Sequence, residues 1–195
     1  MKSVKLSVVL LLLTVITVFA ATTWRFDPSH TKIGFTATHM KISEVNGQFK
    51  EYDGTIRTAG KKDFSNAEIE ISIDATSIDT DNKKRDKHLK GEDFFNTEKY
   101  PAIRFESKSL AKVEGDEYRL KGDLTIRGTT QEETFTAIYN GTVTGMRGKT
   151  RSGWKITGTI NRFDYGVQWD KSLDSGGLVV GKEVDINCDV ELIEQ

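Results

Sequence analysis

From residue 30 onward almost every stretch of this chain alternates between apolar and polar residues. Ile33, Phe35, Ala37 and His39 are two apart, with Lys32 before them and Thr36 and Thr38 among the residues between them. Ala67, Ile69, Ile71 and Ile73 interleave with Glu68, Glu70 and Ser72. Tyr118, Leu120, Gly122, Leu124 and Ile126 repeat the pattern, as do Val184, Ile186, Cys188, Val190 and Leu192. A period of two places one set of side chains on an apolar face and the other in water, which is the signature of half-buried strands. Many such strands separated by Gly and Asp turns predict an all-β sandwich or barrel.

Eight strands are predicted, at about Thr31–His39, Val45–Arg57, Asn66–Asp74, Ala102–Val113, Glu117–Arg127, Gln131–Gly145, Arg151–Asn161 and Glu183–Leu192. Glu114-Gly115-Asp116, Arg127-Gly128-Thr129-Thr130 and the Gly145 to Gly148 segment read as tight hairpin connections. Eight antiparallel strands close into a barrel whose interior is either packed with side chains or holds one small ligand. Closure also removes exposed sheet edges. The charged stretch from Asp81 to Tyr100 breaks the alternation and predicts one inserted helix, Lys83 to Asn96. Thr80 or Asp81 is its expected N-cap and Pro101 follows its end. Leu89, Phe94 and Phe95 give it an apolar contact with which to close one barrel end. Arg162 to Gly181 is irregular, with Phe163, Tyr165, Trp169 and Leu173, and a short helix is expected near Trp169.

Residues 1–20 read as a signal peptide rather than as part of the fold. Lys2 and Lys5 precede an apolar run from Val8 to Val18, and Val18-Phe19-Ala20 offers small residues at a cleavage site. The run is short for a membrane span. Residues 21–195 are then expected to form one domain, exported to the periplasm or secreted. The whole-chain charge of −1 becomes slightly more negative when Lys2 and Lys5 leave. A near-neutral chain without a basic stripe argues against nucleic acid as a partner. Cys188 is the single cysteine, so no intramolecular disulfide can form.

Catalytic signals are weak. His30, His39 and His88 show no paired ligand spacing and fall on different predicted elements, although a metal-dependent enzyme built on them stays as an alternative reading. No nucleophile elbow, phosphate loop or dinucleotide-binding glycine pattern occurs. No catalytic or metal-binding residue and no cofactor is therefore assigned. The inner faces carry Ile33, Phe35, Ala37, His39 and Phe49 on the first two strands, and Ile69, Ile71 and Ile73 on the third. Ile103, Phe105, Leu120, Leu124 and Ile126 follow on the fourth and fifth, and Phe135, Trp154, Ile156, Ile186 and Cys188 on the last three. Periodicity does not distinguish a filled barrel from a hollow one, so both remain open at this level.

Several motifs occur together and in a characteristic order. Phe26-Asp27-Pro28-Ser29-His30 leads into Ile33-Gly34-Phe35 and His39, then Val45-Asn46-Gly47-Gln48-Phe49. Ser77-Ile78-Asp79-Thr80, Arg85-Asp86-Lys87-His88-Leu89-Lys90 and Asp93-Phe94-Phe95 come before Tyr100-Pro101. Gly122-Asp123-Leu124-Thr125-Ile126-Arg127-Gly128 and Ile160-Asn161-Arg162-Phe163-Asp164-Tyr165-Gly166 complete the set. In these residues, over about 24 to 193, the chain resembles the YceI-like family of exported bacterial proteins, with Tyr165 where many relatives have Phe. The resemblance implies an elongated lipocalin-like barrel holding a long apolar chain, a polyisoprenoid or a quinone-type or fatty-acyl lipid, for carriage or storage. The inner-face residues above would line its cavity. Arg85, Asp86, His88, Leu89, Phe94, Phe95 and Arg162 would form its mouth and cap, and His39 matches the family's motif histidine. No catalytic residue is implied. Transient membrane contact, a homodimer and a ligand-free stress-protective role are left open.

Overall fold

The computed structural model describes residues 21–145, 148–172 and 178–195. The expected leader over 1–20, the centre of the Gly145 to Gly148 turn, Leu173 and the Gly176-Gly177 pair lie outside the described residues. Eleven strands are present among the described residues: β1 (Thr22–Phe26), β2 (Lys32–His39), β3 (Ser43–Phe49), β4 (Tyr52–Thr58), β5 (Glu68–Asp74), β6 (Ile78–Asp79), β7 (Ala102–Glu114), β8 (Glu117–Ile126), β9 (Thr129–Thr144), β10 (Thr150–Asn161) and β11 (Val180–Glu194). All pairings between them are antiparallel. Among the described residues no helix is long and apolar enough to cross a membrane.

The pairings resolve into eight staves, because three long strands are broken in the middle. β1 and β2 lie end to end against β11, which pairs with β1 at Leu192 to Glu194 and with β2 from Val180 to Asp189. β3 and β4 continue one another on the next stave, facing β2 and β1 respectively. β5 and β6 do the same against β4 and β3. β7 to β11 follow as a meander, and β11 returns to β1. The result is a closed eight-stranded antiparallel barrel, as the alternation predicts. β1 is the stretch that alternation does not announce, since it is only five residues long and precedes the first clear repeat.

Each break has a local cause. At Asp27-Pro28 the proline cannot donate to a ladder. The Asp27 carboxylate accepts the Ser29 N–H at 3.0 Å, and the His30 N–H bonds the Asp27 carbonyl at 3.1 Å. The Thr31 hydroxyl then bridges to the Glu191 backbone, donating at 3.1 Å and accepting at 3.0 Å, so β11 loses no bond across the kink. Between β3 and β4 the Ser77 hydroxyl accepts the Lys50 and Glu51 N–H groups at 3.1 and 3.0 Å. Arg151 reaches both Asp27 and Glu191 and ties the first break to β10.

Burial alone would raise the Asp27 pKa. The hydrogen bonds from Arg151, His30 and Ser29 outweigh it and hold the carboxyl down at about 2. A depressed carboxyl stabilises the fold fully above its unfolded value near 4, and that stabilisation disappears as pH falls toward 2. Asp27→Asn is therefore expected to cost on the order of 1 kcal/mol at pH 7, after allowance for solvent at the partly exposed Arg151. The two proteins should converge near pH 2. Urea midpoints at both pH values check this, and a difference that persists at pH 2 would assign the effect to shape rather than charge.

The inserted helix is shorter than the charge pattern suggests. α1 spans Lys83–Lys90, and its N-cap is Asn82, whose side chain accepts the Lys84 and Arg85 N–H groups at 3.1 Å each. After Gly91 the carbonyls of Leu89 and Lys90 are taken by the N–H groups of Phe95 and Thr97, at 3.0 and 2.9 Å. The chain therefore folds back on itself instead of continuing helically to Asn96. Phe94 and Phe95 stand on these turns. In the other irregular stretch the helical element is a 3₁₀ turn at Arg162–Tyr165, and no helix forms at Trp169. Asn161 accepts the Phe163 N–H at 3.1 Å, and Gly166 ends the turn with a left-handed φ of 72°.

The core divides into two halves along the barrel axis. The half toward the β7–β8 hairpin is solid. Phe64, carried in by the connection between β4 and β5, packs its ring 5.3 Å from Trp24, 5.9 Å from Tyr139 and 5.0 Å from Trp154. Tyr118 and Tyr139 lie 5.3 and 4.9 Å from Trp154 on its other sides. Both buried indole N–H groups are satisfied, Trp24 by the Thr58 hydroxyl at 3.0 Å and Trp154 by the Ser152 hydroxyl at 2.9 Å. The opposite half is hollow.

Candidate functional site

The hollow half is a cavity of about 210 Å³ with an apolar wall. Inward-facing positions of β11 from Val180 to Val190 border it, a run of roughly 33 Å of strand, or roughly 25 Å along a barrel axis at the usual tilt. So small a volume over such a length describes a slender channel rather than a round pocket.

The channel exists because several inward rings lie flat against the wall. A side chain at Gly47 would meet the Phe35 ring at 2.3 Å, and one at Gly158 would meet the Phe135 ring at 2.6 Å. Each ring occupies the place of a missing Cβ on the neighbouring strand and leaves the lumen clear. At Gly158 all the close neighbours of such a Cβ are atoms of the Phe135 ring. Gly158→Ala is thus expected to swing that ring into the channel with little cost to the fold. Binding of a fluorescent prenyl analogue should fall at least tenfold while the urea midpoint changes little. Unchanged binding would place the ligand away from Phe135.

The mouth is covered by α1 and the turns after it. Leu89, Phe94 and Phe95 form part of the cavity wall. Phe95 meets Phe49 edge-on at 5.8 Å, and Phe94 packs 5.4 Å from Trp169 and 5.0 Å from His88. Arg85 and Asp86 fix the cover from outside, both at Thr80. The Asp86 carboxylate accepts the Thr80 N–H at 2.9 Å and its hydroxyl at 2.6 Å. Arg85 Nε donates to the same hydroxyl at 2.7 Å, and Arg85 Nη2 donates to the Thr80 carbonyl at 2.6 Å. His88 bonds Asp93 at 3.0 Å and presents its ring to Phe94 and Trp169. The barrel staves part at this end, because β6 pairs with β3 but no ladder joins it to β7. The cover spans that gap.

Most inner-face candidates border the channel. Ile33, Phe35, Ala37 and Phe49 do so from one side, with Ile71, Ile73, Ile103, Phe105, Leu120, Leu124 and Ile126 on another. Phe135, Ile156, Ile186 and Cys188 complete it. Burial raises the Cys188 thiol to about 11, so it stays neutral there. Three expectations need correction. Trp154 belongs to the aromatic plug and not to the channel wall. Ile69, paired with Ile56, sits one step nearer the plug than Ile71 and falls beyond the channel's end. His39 terminates β2 at the rim; its partner Val180 still borders the cavity, but on β2 the wall ends at Ala37. Of the expected cap, Arg85, Asp86 and His88 anchor the cover and do not reach the cavity. Arg162 does border it.

Phe26, Ile160, Tyr165, Val167, Val180 and Val184 also line the channel and are not among the inner-face candidates of the sequence. Val184 continues the alternation of the last strand and was readable. Phe26 and Val167 sit beside a break and a loop, where alternation carries no information.

The three histidines do not converge. His30 and His39 are nine residues apart on one extended stave, roughly 25 to 30 Å. His30 does lie in a group with Asp27 and Glu191 whose ligand atoms are within 4.8 Å of one another. The Arg151 guanidinium is already ion-paired with both of those carboxylates.

Comparison with known proteins agrees with this geometry. A family described as the YceI-like domain matches residues 24–192. A UPF0312 protein of Staphylococcus aureus strain N315 is 38% identical over 171 residues, covering 87% of this chain and 96% of that protein. The Campylobacter jejuni YCEI protein superimposes with a TM-score of 0.70 at 28% identity, over 81% of this chain and 90% of its own. BcnA of Burkholderia cenocepacia gives a TM-score of 0.73 at 22% identity, over 85% and 98%. A polyisoprenoid-binding domain from Saccharophagus degradans gives 0.62 at 17% identity, over 88% and 97%. At such identities the last two establish a shared fold alone.

Proposed function

The chain belongs to the YceI-like family, and from that premise we propose that it is a non-catalytic carrier or store for a long apolar lipid, a polyisoprenoid or quinone-type chain. The observation that carries this reading is the slender apolar channel, sealed at one end by the Trp154 plug and covered at the other by Phe94 and Phe95. Each methylene buried there contributes about 0.8 kcal/mol, so a chain filling the channel gains enough to outweigh the cost of ordering it. The polyisoprenoid-binding domain with the same fold supports the same class of ligand.

Export is part of the proposal. Residues 1–20 would direct the chain out of the cytoplasm and be removed near Ala20, and the barrel would shield a lipid that water does not dissolve. The test is purification of the mature protein from the periplasm, extraction with organic solvent and mass spectrometry. The expected result is one long-chain lipid near stoichiometry, on a protein that begins at Ala21 or within two residues of it. A mature protein that carries no lipid and takes up no fluorescent prenyl analogue would favour the ligand-free protective role instead.

A further inference from the structure

We infer that the channel takes a lipid acid, held tail-first toward Trp154 with its anionic oxygen against the guanidinium of Arg162. This rests on the reading of the channel as a lipid site and adds the chemistry of the head group and its orientation.

Arg162 follows β10 directly and is only 5% exposed. Its Nε donates to the Gly181 carbonyl at 2.8 Å and its Nη1 to the Val167 carbonyl at 2.6 Å. Its Nη2 donates to the carbonyls of Trp169 and Val180 at 2.8 and 3.0 Å. These four bonds organise the loop under the cover. Among the described residues the fifth guanidinium N–H, on Nη1, has no protein acceptor, and the guanidinium lies 4.5 Å from the centre of the Phe163 ring. All four acceptors are uncharged, and among the described residues no carboxylate forms an ion pair with it. Asp170 acts on it only as a more distant charge. Arginine keeps its proton even when burial lowers its pKa, so a full positive charge stands at the edge of an apolar cavity. A charge in that setting attracts an anion far more than water would allow.

The orientation follows from where polar groups face the lumen. At the plug end the indole N–H groups of Trp24 and Trp154 are already spent on Thr58 and Ser152. The Tyr165 hydroxyl donates outward to Glu133 at 2.6 Å. Among the described wall residues Arg162 is the charged one, and it lies beneath Trp169 at the covered end. A head group bound at the plug would lose its hydration without replacement. One bound at Arg162 would exchange water for a charge-assisted bond.

A fatty carboxylate and a prenyl or alkyl phosphate offer the same anionic oxygen, and the assay separates them. Delipidated full-length mature protein is titrated at pH 7 with hexadecanoic acid, hexadecyl phosphate and hexadecanol. The acid or the phosphate is expected to bind at least tenfold more tightly than the alcohol, and the tighter of the two names the source. Equal affinity for all three would overturn the inference and leave the lipid channel standing. No binding by any of them would overturn the channel reading itself. Arg162→Gln should abolish the preference and Arg162→Lys should keep most of it. Because Arg162→Gln also removes the loop's carbonyl bonds, wild-type protein supplies an independent reading. With hexadecanoic acid labelled with ¹³C at the carboxyl, the bound signal should remain that of a carboxylate below the pH at which fatty acids ordinarily protonate. A bound acid that protonates at higher pH than in water would place its head in apolar surroundings away from Arg162.

Discussion

Leu124→Asp is expected to empty the channel without opening the barrel. Leu124 is buried on β8 beside Phe105 of β7, and both side chains border the cavity. The substitution removes apolar volume and places a carboxyl group beside the Phe105 ring in an otherwise apolar stretch of wall. Together these should lower stability by about 3 to 5 kcal/mol. Lipid loading should fall at least tenfold at pH 8 in the fraction that folds. The carboxyl group's pKa would be raised by its surroundings, so part of the binding should return at pH 5, where it is neutral. Urea unfolding and titration with a fluorescent prenyl analogue at both pH values provide the check. Full loading of folded protein at pH 8 would mean that the lipid runs along another wall.

Removing Phe94 and Phe95 together should have its largest effect on release. Phe94 is buried against Trp169 and His88, and the partly buried Phe95 packs on Phe49, so the pair covers the mouth from two sides. The anchors at Thr80 lie elsewhere, in Arg85 and Asp86, and would keep α1 in place. The double alanine variant is expected to release a bound prenyl analogue about 10 to 100 times faster, with a smaller change in association rate. Stopped-flow displacement, with circular dichroism to verify the fold, measures this. Equal off-rates would show that α1 and its turns are structural and that exchange takes another route.

Eight staves, their hairpins and the inserted helix were legible because each is written in near neighbours. Alternation from Ile33 to Ala37, or from Tyr118 to Ile126, states which way each side chain points whatever it meets. The length of α1 was less legible. Lys83 to Asn96 has a charged, helix-compatible composition, but Phe94 and Phe95 find their partners, Trp169 and Phe49, only if the chain turns back after Gly91. The N-cap likewise fell to Asn82 rather than Thr80, whose side chain and backbone are committed to Arg85 and Asp86.

The sequence by itself determined that this chain forms strands with one apolar face, since a period of two needs no knowledge of distant residues. Only the tertiary structure decided that one half is filled and the other hollow. Trp154 and Phe135 both point inward by their strands' alternation. Trp154 became part of a plug because Phe64 enters beside it from the connection between β4 and β5. Phe135 became part of a channel wall because Gly158, on the adjacent strand, leaves room for its ring to lie flat. Which way a side chain faces is fixed by its own strand. What it meets across the barrel is fixed by closure and stagger, which bring together residues that no local pattern connects.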